Sequence, residues 1–147
     1  MKKIIFVGET GSGKTTLSQW LQQKERIYHK TQQVYYFDDS IDTPGEFMEN
    51  RFYYNALVSA SVDAQIVAFV QNIQGTQNYF PPFFSARFTK PTIGIITKID
   101  LIKDDQALVI ARKRLELAGA KKIFEVSLIS GEGMDELEKF LFDYKLE

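Results

Sequence analysis

The chain has 147 residues, 44% of them hydrophobic and 25% charged, with a net charge of −1 and no cysteine. That length supports one substantial core, and the balanced charge excludes a strongly basic nucleic-acid surface. The lack of cysteine excludes a disulfide scaffold, a thiolate metal site and a cysteine nucleophile, and it suits a reducing cytoplasm.

The apolar run Ile4-Ile5-Phe6-Val7 predicts a buried strand. It is too short for the core of a signal peptide, and no later stretch is long enough to span a bilayer. It leads into Gly8-Glu9-Thr10-Gly11-Ser12-Gly13-Lys14-Thr15. Leu17, Trp20 and Leu21 then recur at helical spacing and predict a helix over about 13–24. Strand, glycine-rich turn and helix start are the setting that a phosphate-binding loop requires. Gly8, Gly11 and Gly13 let the backbone approach a ligand closely. The N–H groups of the loop, those of Glu9, Thr10, Ser12 and Thr16 included, form with the helix N-terminus a cradle for anions. Lys14 is the candidate catalytic cation for the β- and γ-phosphates, and the Thr15 hydroxyl is the candidate Mg²⁺ ligand.

Residues 25–33 read as a polar loop, in which His29 has no assigned role. Thr31 is either an ordinary loop threonine or the residue that completes the Mg²⁺ shell and senses the γ-phosphate. Residues 34–37 read as a short strand and 38–40 as a turn. Asp42-Thr43-Pro44-Gly45 follows. An aspartate at a strand end beside a phosphate loop can hold Mg²⁺ through water, and the Gly45 N–H can meet a γ-phosphate. Glu46 either orients or deprotonates an attacking nucleophile or complements a helix dipole. Residues 47–61 read as one helix, with Phe47, Arg51, Tyr54 and Val58 on one stripe.

Residues 64–70 form a near-continuous apolar run, which predicts a parallel strand covered on both faces. A polar loop over 71–79 leads to Phe80-Pro81-Pro82-Phe83-Phe84 and a short helix near 83–88. Residues 91–96 predict a further buried strand, ending in Thr97-Lys98-Ile99-Asp100. A carboxylate has two acceptor oxygens in one plane. Guanine presents two adjacent donors to match them, and adenine presents no such pair. Asp100 is therefore the candidate base reader, with the Lys98 stem lying over the base. Asp104 caps the next helix and Gly119 ends it. A strand over 122–126 precedes Ser127-Leu128-Ile129-Ser130-Gly131, whose backbone can donate to a purine O6. Residues 134–144 close as an amphipathic helix, with Tyr144 among its inward positions. The chain also holds 12 Phe, 7 Tyr and 1 Trp, in clusters that suit core packing or a partner surface.

Taken together and in order, Gly8–Thr15, Asp42–Gly45, Thr97–Asp100 and Ser127–Gly131 resemble the motifs of the small P-loop GTPase superfamily. Within it, the chain resembles the ethanolamine- and propanediol-utilisation P-loop proteins (the EutP/PduV type). That likeness rests on Lys30-Thr31-Gln32, Ile41-Asp42-Thr43-Pro44-Gly45-Glu46, Pro81-Pro82-Phe83 and Gly94-Ile95-Ile96-Thr97-Lys98-Ile99-Asp100 as well as the glycine loop. It implies a single α/β domain over 1–147: a three-layer α/β/α P-loop NTPase, mostly parallel, with an abbreviated first switch and hairpin. It implies GTP or GDP and Mg²⁺ as ligands, phosphate contacts from residues 8–16 and Gly45, and base contacts from Thr97, Lys98, Asp100, Ser127 and Leu128. It implies metal contacts from Thr15, Asp42 and Thr31.

The same resemblance implies a cytoplasmic protein near a bacterial microcompartment, with shell or pathway proteins as partners and neither nucleic acid nor a membrane. Thr97 stands where asparagine is commoner, and Glu46 where several GTPases keep a water-orienting glutamine. Three activities remain open on the sequence. One is a slow, Mg²⁺-dependent GTPase switch. The others are an acetate-kinase-type phosphotransferase using ATP, and a nucleotide-bound scaffold without catalysis.

Overall fold

The computed structural model of the chain describes residues 3–32, 40–75 and 78–142; for residues 25–32, Ser40 and Asp42 it describes the backbone alone. Among the described residues five strands form one sheet: β1 (Ile4–Val7), β2 (Ser40–Asp42), β3 (Ile66–Asn72), β4 (Thr92–Thr97) and β5 (Lys122–Glu125). Their order is β2-β1-β3-β4-β5 and every pairing is parallel. The helices are α1 (Lys14–Gln32), α2 (Gly45–Glu49), α3 (Tyr54–Ser61), α4 (Asp105–Ala118) and α5 (Met134–Phe142).

Alternation along the strands divides the interior into two cores. Ile5, Val7, Val67 and Phe69 face Leu57 of α3 and Leu115 of α4. Ile4, Phe6, Ala68 and Val70 face Leu17 and Leu21 of α1 and Leu137 and Leu141 of α5. With both faces covered, the strands read as unbroken apolar runs rather than as alternating ones. The expected three-layer α/β/α arrangement is the observed one. Trp20 Nε1 donates to Glu138 Oε2 at 3.0 Å and ties α1 to α5 across the second core.

Strand order sets the site. From β1 the chain crosses to β2 on one side and then to β3 on the other. The sheet therefore opens a crevice at the carboxyl end of β1, where open parallel sheets bind ligands.

Several local expectations are corrected. Residues 25–32 continue α1 rather than forming a loop. Polarity suggested a loop, but Glu25, Arg26, Lys30 and Gln32 are good helix formers, and no Gly or Pro stops the helix there. Ser40 belongs to β2, paired with Ile4, not to a turn. The expected strand over 34–37 and Tyr144 lie outside the described residues.

The single helix expected over 47–61 is split. Asn50 has extended backbone (φ −138°, ψ 120°), and its side chain accepts from the Phe52 N–H at 3.0 Å. That side chain offers the backbone an alternative to the helical bond and starts a 3-10 turn, Arg51–Tyr53, in its place. β3 runs on through Gln71 and Asn72, which pair with Ile96 and Thr97 where a loop was expected. Of the aromatics around Pro81 and Pro82, Phe80, Phe84 and Phe88 pack as core, whereas Phe83 is exposed. Phe69 lies 4.9 Å from Phe80, 5.5 Å from Phe84 and 5.9 Å from Phe88, ring centre to ring centre.

Candidate functional site

The glycine-rich loop leaves the end of β1 at the crevice. Gly11 (φ 81°) and Gly13 (φ 101°) take left-handed backbone that side chains resist. Around Gly11 the space is open, whereas a Cβ on Gly8 would meet the Val70 carbonyl oxygen and the Ser12 hydroxyl. The Gly8 turn is thus packed on the sheet, and the Gly11 face is left accessible. Ser12 N–H donates to Glu9 O at 3.1 Å, and Lys14 Nζ donates to the same carbonyl at 3.0 Å. The ammonium is folded across its own loop.

Ser12 Oγ is buried and has no hydrogen-bond partner among the described residues. Such a group costs about 1–3 kcal/mol until something pairs with it. An accessible glycine turn with a cation laid over it suits a phosphate chain. Thr15 and Thr16 follow in the first turn of α1, both exposed.

The Asp42–Gly45 segment is held against this loop from the other side. Asp42 pairs with Phe6 in the β1–β2 register, and the Thr43 hydroxyl donates to Phe6 O at 2.7 Å in a buried position. Gly45 abuts Thr10 so closely that a Cβ would run into the Thr10 backbone. A glycine is required there by close approach. The Asp42 and Thr31 side chains lie outside the described residues. The Thr31 backbone lies in the last turn of α1, about 25 Å along the axis from Lys14 at 1.5 Å per residue. This structure therefore does not bring Thr31 to the phosphate loop.

Glu46 is exposed and makes no hydrogen bond among the described residues. The carboxylate that α2 delivers to the loop is that of Glu49, whose Oε2 accepts from the Thr10 N–H at 2.7 Å. That bond, the Thr10 hydroxyl and the Lys14 charge hold the Glu49 carboxyl below its ordinary range. Glu9 is displaced the opposite way. Burial raises its pKa first and the Glu49 charge second, against smaller opposing effects of Arg114 and Lys14. Sequence reasoning passed over Glu49. The available signal was its spacing, three residues beyond Glu46 on a helix that begins at Gly45.

The loop after β4 is bonded to the phosphate loop. Thr97 Oγ1 donates to Ser12 O at 2.5 Å in a buried position, and Lys98 Nζ donates to Gly11 O at 3.0 Å. Lys98 itself takes left-handed backbone, with φ 62°. Ser127 Oγ donates to Asp100 Oδ1 at 2.7 Å and accepts from the N–H groups of Ile129 and Ser130, at 3.2 Å each. Asp100 is exposed, and each of its carboxylate oxygens has two acceptor sites, so the bond from Ser127 leaves Oδ1 as well as Oδ2 with acceptor capacity. Leu128 packs at the edge of the second core, so of the two residues after β5 it is Ser127 whose side chain serves Asp100.

A parallel sheet that reverses order at β1, a Gly-x4-Gly-Lys-Thr loop at that point and an aspartate loop after β4 define an α/β P-loop NTPase. The chain belongs to the PduV-EutP family, "Ethanolamine utilisation - propanediol utilisation", whose model matches residues 1–143. It is 38% identical over 141 residues to "Propanediol utilization protein PduV" of Citrobacter freundii, covering 96% of this chain and 93% of that protein. It is 31% identical over 143 residues to "Probable acetate kinase EutP" of Escherichia coli K12, covering 96% and 89%. A more distant similarity, 30% over 111 residues, reaches "GTPase Era" of Afipia carboxidovorans and covers 69% of this chain and 35% of that protein. Among the described residues no helix is long and apolar enough to cross a membrane.

Proposed function

We propose that this chain is a guanine-selective nucleoside triphosphate switch with slow, Mg²⁺-dependent hydrolysis. The observation that carries this reading is the joining of base loop to phosphate loop. Thr97 and Lys98 are bonded to loop carbonyls, and Ser127 is bonded to Asp100 two residues beyond Lys98.

Residues 8–16 and the Gly45 N–H are the phosphate contacts in this reading, and Lys14 supplies the positive charge. Mg²⁺, held by Thr15 Oγ1 and through water by Asp42, would screen the charge of the β- and γ-phosphates when bound. Glu46 is a poor substitute for a neutral water-orienting amide, because its carboxylate repels the γ-phosphate. Slow hydrolysis follows unless a partner supplies a cation. Family membership makes the metabolism of ethanolamine or propanediol the setting. We place the protein in the cytoplasm at a bacterial microcompartment, with shell or pathway proteins as readers of its state.

The test is calorimetric titration with non-hydrolysable GTP and ATP analogues, each with and without Mg²⁺. Selective, Mg²⁺-dependent binding of the GTP analogue is expected. Equal or tighter binding of the ATP analogue would remove the base-reading role of Asp100.

A second reading is phosphoryl transfer to a small carboxylate, the activity named in the E. coli relative. It is favoured by one specific observation, an arginine-lined pocket beside α2.

A further inference from the structure

A cavity of about 650 Å³ opens next to α2, lined by Glu49, Asn50, Arg51, Phe52, Tyr54, Asn55 and Arg87. Two guanidiniums face it. Neither makes an ion pair or hydrogen bond among the described residues. Arg87 is nevertheless held in place, its guanidinium 5.3 Å from the Tyr54 ring centre and 5.9 Å from that of Phe84. Stacking of this kind fixes the plane of the group and leaves its N–H edge for a ligand. Arg51 approaches from the 3-10 turn after Asn50, and its charge reaches Tyr54, as does that of Arg87. The rest of the lining is amide (Asn50, Asn55) and aromatic (Phe52, Tyr54). Two cations without counter-ions among the described residues, two amides and an aromatic wall suit a small anion with an apolar end.

The inner edge of the cavity shows which anion. Glu49 lines the cavity, and its carboxylate is the group bonded to the Thr10 N–H of the phosphate loop. A carboxylate therefore already sits where the arginine pocket meets the phosphate loop. Its partner there is a backbone N–H at 2.7 Å, with the Thr10 hydroxyl contributing.

We propose that this pocket is the binding site of a small carboxylate, the second substrate of the protein, which displaces the Glu49 side chain at the edge of the phosphate loop. The proposal rests on the phosphoryl-transfer reading and supplies its missing acceptor site. In the step, one carboxylate oxygen attacks the γ-phosphorus and forms the new O–P bond. The bond from the γ-phosphorus to the β–γ bridging oxygen breaks, and the nucleoside diphosphate leaves with its electron pair. A carboxylate, a triphosphate, an acyl phosphate and a diphosphate balance in charge without moving a proton. No general base is needed, and none of the lining residues has to act as one. Arg51 and Arg87 are positioning and binding groups, with Phe52 and Tyr54 covering the apolar end.

The test is an NMR titration of ¹⁵N-labelled protein loaded with Mg²⁺ and a non-hydrolysable nucleotide. Acetate, propionate, inorganic phosphate and sodium chloride are the titrants. Saturable shifts of the Arg51 and Arg87 Nε–H and the Asn50 and Asn55 side-chain amides are expected with the two carboxylates. Carboxylate affinity should fall at least tenfold in Arg51→Gln and in Arg87→Gln, with nucleotide affinity unchanged. Arg87→Lys keeps the charge over the rings and guards against misfolding of the glutamine variant; it should retain part of the binding. Shifts no larger than those from chloride, or tighter binding of phosphate than of either carboxylate, would overturn the proposal. Acyl phosphate formation, trapped as the hydroxamate, separates the two levels of the argument. Carboxylate binding without acyl phosphate keeps the pocket and removes phosphoryl transfer. Acyl phosphate formed at full rate by both glutamine variants keeps phosphoryl transfer and removes the pocket.

Discussion

Glu49 Oε2 and the Thr10 N–H lie 2.7 Å apart, so a side chain of α2 occupies a donor of the phosphate loop. A triphosphate brings more negative charge to that loop than a diphosphate does. The repulsion from one exposed carboxylate is about 1 kcal/mol, or roughly fivefold in affinity. Glu49→Gln is therefore expected to tighten binding of a GTP analogue about fivefold and to change GDP binding less. Titration of both ligands against both proteins checks this. An equal gain for the two nucleotides would place the carboxylate away from the third phosphate.

Ser12 makes a prediction about stability. Its hydroxyl is buried and unpartnered among the described residues. Ser12→Ala removes that cost, so the ligand-free protein should gain about 1 kcal/mol or more of stability. Nucleotide affinity should change little, because the hydroxyl lies on the sheet side of the loop, beside Gly8 and Val70. Urea denaturation with and without GTP reads both quantities. A variant that loses stability in the absence of ligand would show that the hydroxyl is already satisfied.

Glu9 gives a pH dependence. Its pKa is raised from 4.5, first by burial and second by the Glu49 charge. A carboxyl raised in the folded state penalises folding while it is ionised, at pH above its folded pKa. The penalty is relieved as pH falls through that value toward 4.5. Glu9→Gln should therefore melt higher than the parent at neutral pH. The difference should shrink as pH falls through the folded pKa. Thermal melts at several pH values decide it, and a pH-independent difference would assign the effect to packing.

Asp100 and Ser127 make a linked prediction. Asp100→Asn exchanges one acceptor for a donor against guanine, while adenine never engaged it. GTP binding should weaken by at least tenfold and ATP binding should stay the same. Ser127→Ala should have a smaller effect of the same kind, because it frees the carboxylate that the hydroxyl orients at 2.7 Å. Loss of both nucleotides in equal measure would mean that the variants damage the loop rather than base selection.

Much of this was legible in the chain because it is encoded locally. The glycine loop, the four-residue strand before it and the Asp104 cap are each specified by neighbours in sequence. Asp104 indeed accepts from the Ala107 N–H at 2.9 Å, and Gly119 ends α4 in left-handed backbone (φ 101°). The unbroken apolar runs of β3 and β4 likewise announced burial on both faces. What was not legible depends on contacts between distant segments. Nothing near Glu49 in sequence says that Thr10, 39 positions away, will be its partner. Arg51 and Arg87 come from different elements and meet only once α3 packs on the aromatic cluster around Phe69. The break at Asn50 was a local competition that hydrophobic periodicity could not weigh. The extension of α1 through Gln32 shows the converse, that polarity alone is a weak reason to end a helix.

The break at Asn50 also divides labour along the chain. α3 is clamped by Leu57 and Ser61, both buried, and belongs to the body of the molecule. α2 has five residues and a single buried side chain, Met48. It is cut from α3 by extended backbone. Phe47 of α2 nevertheless stacks on Tyr53, ring centres 4.7 Å apart, so a displacement of Glu49 by an incoming anion would pass along α2 into the 3-10 turn that precedes α3. That turn carries Phe52, which is 91% exposed. A partner that meets Phe52 would then be reading which anion lies against Glu49.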